Sequence, residues 1–272
     1  PYLKHCHELP EREECMGILR NIGAMSMHKL GTVVVRNTDS LIMSSFIGLF
    51  AVGLYSNYKM LLSGINTMMD KFANAFVGSL GNLSAIEDEK RVYSIYRELE
   101  FLLFVIYAYW AAGLFALFNG FIALCFGADY CFSMVTVGVL VAEFYITGMR
   151  KVNLLFREAM GLFWYDRYKP LAEAAINLVV SLLLVQKFGI AGTIGGTIIS
   201  SLCTCTWVEP YILMRYGMRD QWEERLKAYF AAYARRAVLV AAVAGVSYAW
   251  VQFCPVRNVL WFLLDGMVYT AL

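Results

Sequence analysis

The sequence has 272 residues, of which 60% are hydrophobic and 16% charged, with a formal net charge of +2 and a mean hydropathy of +0.57. A water-soluble domain of this size needs more charge to cover its surface, and the near-neutral balance gives no basic footprint for nucleic acid. Five prolines and long uncharged runs point instead to helices in a bilayer.

The chain opens at Pro1 in a polar stretch with no basic–apolar–small signal, and closes at Leu272 inside an apolar run. The expectation is a piece of a longer membrane protein that lacks its front. The seven cysteines make no paired framework. His5, Cys6 and His7, with Cys15 beyond, match no familiar zinc spacing, so solvated loop residues are the reading there and no metal is expected.

About eight apolar stretches approach or exceed the length needed to cross a core roughly 30 Å thick. They fall near 21–47, 53–80, 100–124, 132–160, 171–188, 190–214, 237–253 and 256–272. The predicted fold class is therefore all-α, a polytopic transmembrane bundle. Most of the 23 lysines and arginines lie at one set of ends and loops, from Arg20 and Lys29 through Lys90, Arg91, Arg167 and Lys169 to Arg235 and Arg236. The opposite loops carry Lys187 and Arg257. The positive-inside rule makes the first side, and both ends of the chain, cytoplasmic.

Within the first span, "VVVRNTDSLIM" places Arg36 and Asp39 three residues apart on one face. The second span reads "NYKMLLSGINTMMDKFAN", and Lys59, Ser63, Asn66, Asp70 and Asn74 recur every three to four residues, again on one face. Lys71 sits at its flank, roughly 100° off. In the fourth span Glu143, Thr147, Arg150 and Arg157 continue a face, with Asn153 beside it, while Asn177 and Glu209 add polar points on the fifth and sixth. Ionised groups facing lipid are costly, so these faces should look into protein or a wet cavity. Local pairing that locks the bundle, with Arg36–Asp39 and Asp70–Lys71 as local pairs, is the plainer account of any one of them. A hydrated, partly cationic cavity explains the set better, and such a cavity draws in a polar or anionic solute.

Gly192 and Gly196 form a GxxxG pattern that reads as close helix packing. The loop "GLFWYDRYKP" sets Trp164, Tyr165 and Tyr168 beside Arg167 and Lys169, either as an aromatic anchor or as a contact for lipid headgroups or a partner. In "RDQWEERLKAYFAAYARR", Trp222, Leu226, Tyr229, Phe230 and Tyr233 recur at helical spacing, predicting an amphipathic helix in the membrane interface.

The stretch "NTDSLIMSSFIGLFAVGLYSNYKMLLSGINTMMDKFANAFVGSLGNL", with "TGMRKVNLLFREAMGLFWYDRYKPLAEAAINLVVSLLLVQKFGIAGTIGGTIISS", resembles the second half of Wzx-type polysaccharide repeat-unit flippases of the MATE/MOP exporter superfamily. The resemblance implies a cytoplasmic segment over 1–20, a six-helix C-terminal lobe over 21–214, a cytoplasmic amphipathic linker over 215–236 and two further helices over 237–272. It also implies a missing N-terminal lobe of the same protein. Its implied function is flipping of undecaprenyl-diphosphate-linked oligosaccharide across the bacterial plasma membrane, without covalent chemistry, alongside membrane lipids and polysaccharide-assembly proteins. On that reading Arg36, Arg150 and Arg157 would meet the diphosphate. Asn66, Asn74 and Asn153 would meet sugar hydroxyls. Asp39, Asp70 and Glu143 would pair the arginines or take a coupling H⁺ or Na⁺, with no cofactor. Lys59 and Lys71 would complete the cavity's cationic lining. Two alternatives stand beside it. A multidrug antiporter would favour an acidic site, whereas these spans carry arginine and lysine. A polysaccharide polymerase or ligase would need a catalytic constellation, and the three histidines all fall at the start of the chain.

Overall fold

The computed structural model describes residues 12–253, and within them the side chains of all but residues 14, 21, 36, 251 and 253. The regular elements are α1 Arg12–Phe46, α2 Leu49–Ile86, α3 Glu89–Cys125, α4 Met134–Met149, α5 Lys151–Ala159, α6 Lys169–Cys203, α7 Cys205–Ile212 and α8 Trp222–Phe253. No strand occurs among the described residues, so the all-α expectation holds. Glu89–Cys125, Lys169–Gly217 and Trp222–Trp250 are long and apolar enough to cross a bilayer. That composition is that of a helical membrane protein. α1 and α2 have the length, but charged and amide side chains interrupt their apolar runs. α4 stops after 16 residues because the helix breaks at Arg150. The last expected stretch, 256–272, lies outside the described residues.

The helix ends are set by local chemistry. α1 closes with Ile47 and Gly48 both donating to the Met43 carbonyl, at 2.9 and 3.0 Å, and Gly48 turns the chain with φ 110°. Asp88 caps α3 by accepting from the Arg91 N–H at 3.1 Å, and Ser133 caps α4 by accepting from Thr136 N–H at 3.3 Å. α6 reverses direction at Gly189, with φ 56° and ψ −130°, into two arms, 169–188 and 190–203. The arms lie against each other: Ser181 Oγ donates to the Thr193 carbonyl at 3.1 Å, and Asn177 Nδ2 donates to Thr197 Oγ1 at 2.8 Å. A Cβ at Gly192 would overlap the Leu184 carbonyl, and one at Gly196 would overlap Ser181. Close packing is therefore what the GxxxG pattern serves, within a hairpin.

The core is aromatic. Tyr58, Tyr96, Tyr107, Phe118, Phe144 and Phe156 are fully buried. Tyr58 stacks on Phe132 at 4.4 Å and its hydroxyl donates to Asn119 Oδ1 at 2.5 Å, which ties α2 to the segment before α4. The α2–α3 turn, the loop before α6 and the α7–α8 turn gather at one end, where Asp220 N–H donates to Glu89 at 2.7 Å and Tyr165 stacks on Tyr216 at 4.0 Å. The α1–α2 turn and Gly189 meet at the other. The basic residues thus collect at one end of the bundle.

The segment 215–236 departs from the expected interfacial linker. Its residues 222–236 are continuous with the following apolar stretch in α8, and Arg225, Tyr229 and Arg236 are buried against protein. Arg236 Nη1 lies 2.5 Å from Glu100 of α3, and Arg225 lies over the Tyr93 ring at 4.4 Å. The aromatic stripe finds a protein partner because α3 offers both an apolar face and a buried carboxylate at the right height.

Side chains at Gly196 and Gly148 should be disruptive, the second because its Cβ would overlap the Tyr107 ring. Gly196→Val and Gly148→Val should each cost about 1–3 kcal/mol or more, since backbone or a buried ring must shift. Gly64→Ala, with nothing within 4 Å of its Cβ, should be neutral or stabilising by up to about 1 kcal/mol. Thermal unfolding of the detergent-solubilised protein checks the order. Equal tolerance at all three positions would contradict the hairpin and the α3–α4 crossing.

Candidate functional site

Arg150 occupies the break between α4 and α5, where the chain carries the guanidinium toward α6 and α7. Its Nε donates to Glu209 Oε2 at 3.0 Å and its Nη2 to Glu209 Oε1 at 2.7 Å, a bidentate pair. Its Nη1 lies 3.4 Å from both Glu173 Oε1 and Ser201 Oγ on α6. Lys169, at the first turn of α6, donates to the same Glu209 at 2.5 Å. One carboxylate therefore holds two cations, both largely out of water.

The network continues through the loop before α6. Asp166 lies 2.6 Å from Arg157 Nη1, 2.9 Å from His28 Nε2 on α1 and 4.0 Å from Lys169 Nζ. Burial alone would raise its carboxyl. The His28 hydrogen bond and the charges of Arg157 and Lys169 outweigh burial and hold it below the ordinary aspartate value. These groups border a cleft of about 440 Å³ between α1, α5 and α6, which His28, Lys29, Arg150, Arg157, Lys169 and Glu173 help to line. Arg157 is buried, and its Nε has no hydrogen-bond partner. Lys29 is exposed at the rim.

A second polar cluster lies deeper, 11 residues along α1 from His28 and so roughly 16 Å by helical rise. Thr197 Oγ1 shares its proton between the two oxygens of buried Asp39, at 3.1 and 3.3 Å, and accepts from Asn177. The Asn177 carbonyl oxygen is buried without a donor. Lys59 and Glu143 face each other across α2 and α4 at 3.9 Å.

The remaining expected residues are dispersed. Asp70 pairs with Lys151 of α5, not with its neighbour Lys71. Asn66 accepts a long bond from Tyr107 at 3.4 Å, whereas Lys71 and Asn74 are exposed. The α2 stripe is thus one face of its helix but does not line one cavity with Arg150. Asn153 belongs to the core: the Tyr96 hydroxyl donates to its oxygen at 2.7 Å and its nitrogen donates to the Tyr229 hydroxyl at 3.1 Å. Both ends of that amide are already occupied. The Arg36 side chain, like His5, Cys6 and His7, lies outside the described residues, and among the described residues no group of three metal-ligating side chains occurs.

Sequence reasoning missed His28, Asp166, Lys169 and Glu173 as site residues. Two signals were present: Lys169 and Glu173 are four apart at a helix start, and Asp166 is the one acid in an otherwise basic, aromatic loop. Neither says that α1 brings a histidine to meet them.

No family model matches the chain, and no solved structure matches it. Among curated proteins, the mouse protein named "Solute carrier family 7 member 12" is 26% identical over 184 residues, which cover 65% of this chain and 36% of that protein. The chain thus spans little more than a third of that relative's length. The relative is a solute carrier, and this overturns the expected kinship with Wzx-type flippases of the MATE/MOP superfamily. The glycine, asparagine and aromatic elements that carried the resemblance serve helix packing here, as Gly192, Gly196 and Asn153 show, and packing is common to many membrane bundles. The polysaccharide and bacterial readings have no support beyond that resemblance.

Proposed function

We propose that this chain is part of a membrane solute transporter whose cleft between α1, α5 and α6 receives a small solute bearing a carboxylate or other compact anionic group. The observation that carries the reading is the gathering of four cationic side chains, Lys29, Arg150, Arg157 and Lys169, around one cleft, with Lys29 exposed at its rim. An anionic oxygen on the solute would be drawn to that excess of positive charge and would accept from the exposed Lys29. The cleft's size suits a small molecule. Glu173 faces the same cleft and would meet a cationic group, so a zwitterion is accommodated.

A polar seam supports movement beyond the cleft. Ser201, Ser200 and Thr197 are buried along the α6 hairpin, leading from Arg150 toward Asp39, with buried Thr193 and Ser181 beyond it. Asp39, with the Thr197 hydroxyl and the unpartnered Asn177 carbonyl, is where a coupling H⁺ or Na⁺ would act. The exposed Ser63, Lys71 and Asn74 of α2 are poorly suited to lipid, and we assign them to contact with a second helical unit of the same transporter. By the positive-inside rule the basic end faces the cytoplasm. No covalent step is required. The arginines and lysines at the cleft argue against cationic drugs as cargo, and passage of a lipid-linked oligosaccharide is set aside with the flippase resemblance.

Substitution at the rim separates binding from folding. Lys29→Gln should leave the melting temperature unchanged yet weaken binding of anionic or zwitterionic solutes several-fold. Thermal-shift titration with a panel of small carboxylates, amino acids and organic cations reads this out. A preference for cations would contradict the assignment. Glu209→Gln, by contrast, should destabilise the fold by about 3–5 kcal/mol, because it leaves Arg150 and Lys169 without their buried partner.

Asp39→Asn should retain solute binding but lose the dependence of uptake on a proton or sodium gradient. Uptake by the full-length transporter in proteoliposomes, with each gradient imposed in turn, tests this. Undiminished coupling in the variant would remove Asp39 from the coupling role.

A further inference from the structure

At the basic end of the bundle two arginines share one indole ring. The Arg20 guanidinium carbon lies 3.5 Å from the centroid of the Trp164 ring, and that of Arg167 lies 3.9 Å from the same centroid. Arg167 also lies 4.6 Å from the Tyr168 ring, and its Nη1 donates to the Trp164 carbonyl at 2.9 Å. The ring quadrupole attracts each cation, but the two cations repel one another. A carboxylate would ordinarily relieve this. Among the described residues neither guanidinium has one, because the local acid, Asp166, is turned inward to His28, Arg157 and Lys169. The loop thus sends its anion into the protein and leaves a concentrated positive charge at the surface.

We propose that Arg20, Trp164 and Arg167 form a site for the phosphodiester headgroup of an anionic phospholipid. Both guanidiniums lie over the indole, and their N–H groups other than the Arg167 Nη1 that donates to the Trp164 carbonyl can donate to phosphate oxygens, a division of labour that lysine's point charge does not offer. The anion cancels the repulsion between the two cations. The surroundings favour a lipid over a soluble phosphate. Leu19, next to Arg20, is 63% exposed, and Leu171, on the first turn of α6, is 51% exposed. Tyr165 and Tyr168 flank the pair with exposed rings, the arrangement found at the boundary between headgroups and hydrocarbon. An anionic head therefore lies beside apolar surface for acyl chains. The site is separate from the cleft and does not rest on what the cleft carries.

The test uses the whole chain in nanodiscs of phosphatidylcholine, with and without a minor fraction of phosphatidylglycerol. Native mass spectrometry reads retained lipid, and melting temperature reads the stabilisation it gives. The wild-type chain should retain phosphatidylglycerol and melt higher in its presence. Arg20→Gln with Arg167→Gln should reduce retention roughly tenfold or more while leaving the melting temperature in phosphatidylcholine unchanged. Lys227→Gln with Arg235→Gln, a charge-matched exposed pair on α8, should retain the lipid as the wild type does. Equal loss in the two double variants would show a general attraction of basic surface to anionic lipid and overturn the site. Displacement of the lipid by millimolar inorganic phosphate, with equal stabilisation, would overturn the lipid assignment. If the arginine double variant does not fold, Arg20→Gln alone and Trp164→Leu carry the test. Each should lower retention, and wild-type retention in both would overturn the proposal.

Discussion

The bidentate pair between Arg150 and Glu209 is the interaction on which the polar interior depends. It sits where the fourth expected span breaks into α4 and α5, and it joins that break to α7. Lys169 shares the same carboxylate and brings in the start of α6. In a low-dielectric interior such a group is stable only while each charge keeps its partner. The loop before α6 extends the principle: Asp166 holds Arg157 and His28, so α1 and α5 are tied to the same lattice of charge. The cleft opens beside this charge network, where α1 and α6 also pack closely at Gly31 and Pro170.

Backbone proximity provides the second constraint. The α6 hairpin closes only because Gly192 and Gly196 present no side chain to Leu184 and Ser181. Closure brings Asn177 to Thr197, and Thr197 to Asp39 on α1. A run of small residues, unremarkable as chemistry, thereby sets a buried carboxylate among hydroxyls. The Asn177 carbonyl is left without a donor, which marks this point as incomplete by the usual rule that buried polar atoms are paired.

The two polar regions differ in kind. Around Arg150 the charges are nearly balanced and the geometry is tight, as a stable framework requires. At the cleft's edge Lys29 is exposed and positively charged, which is where a solute has something to gain. The aromatic loop separates charge in a third way, with Asp166 inward and Arg167 outward. Three short stretches of sequence thus support a framework, a cleft and a charged surface.

Composition and periodicity were enough to establish an all-helical membrane protein, the junctions near residues 48, 87 and 189, and the gathering of basic residues at one end. These follow from local rules: apolar length, glycine at turns, and the cost of charge in lipid. They also marked Arg150, Arg157, Asp39 and Glu143 as interior polar groups. What they did not determine was pairing. Asp70 meets Lys151 in place of Lys71, Asn153 is taken up by two tyrosines, and Arg150 finds Glu209 59 residues away. Helical spacing says which side chains share a face, but partners across a bundle depend on the rotation and height of neighbouring helices. Those are set by close contacts such as Gly148 on Tyr107 and Gly31 on Pro170, which only the tertiary structure brings together.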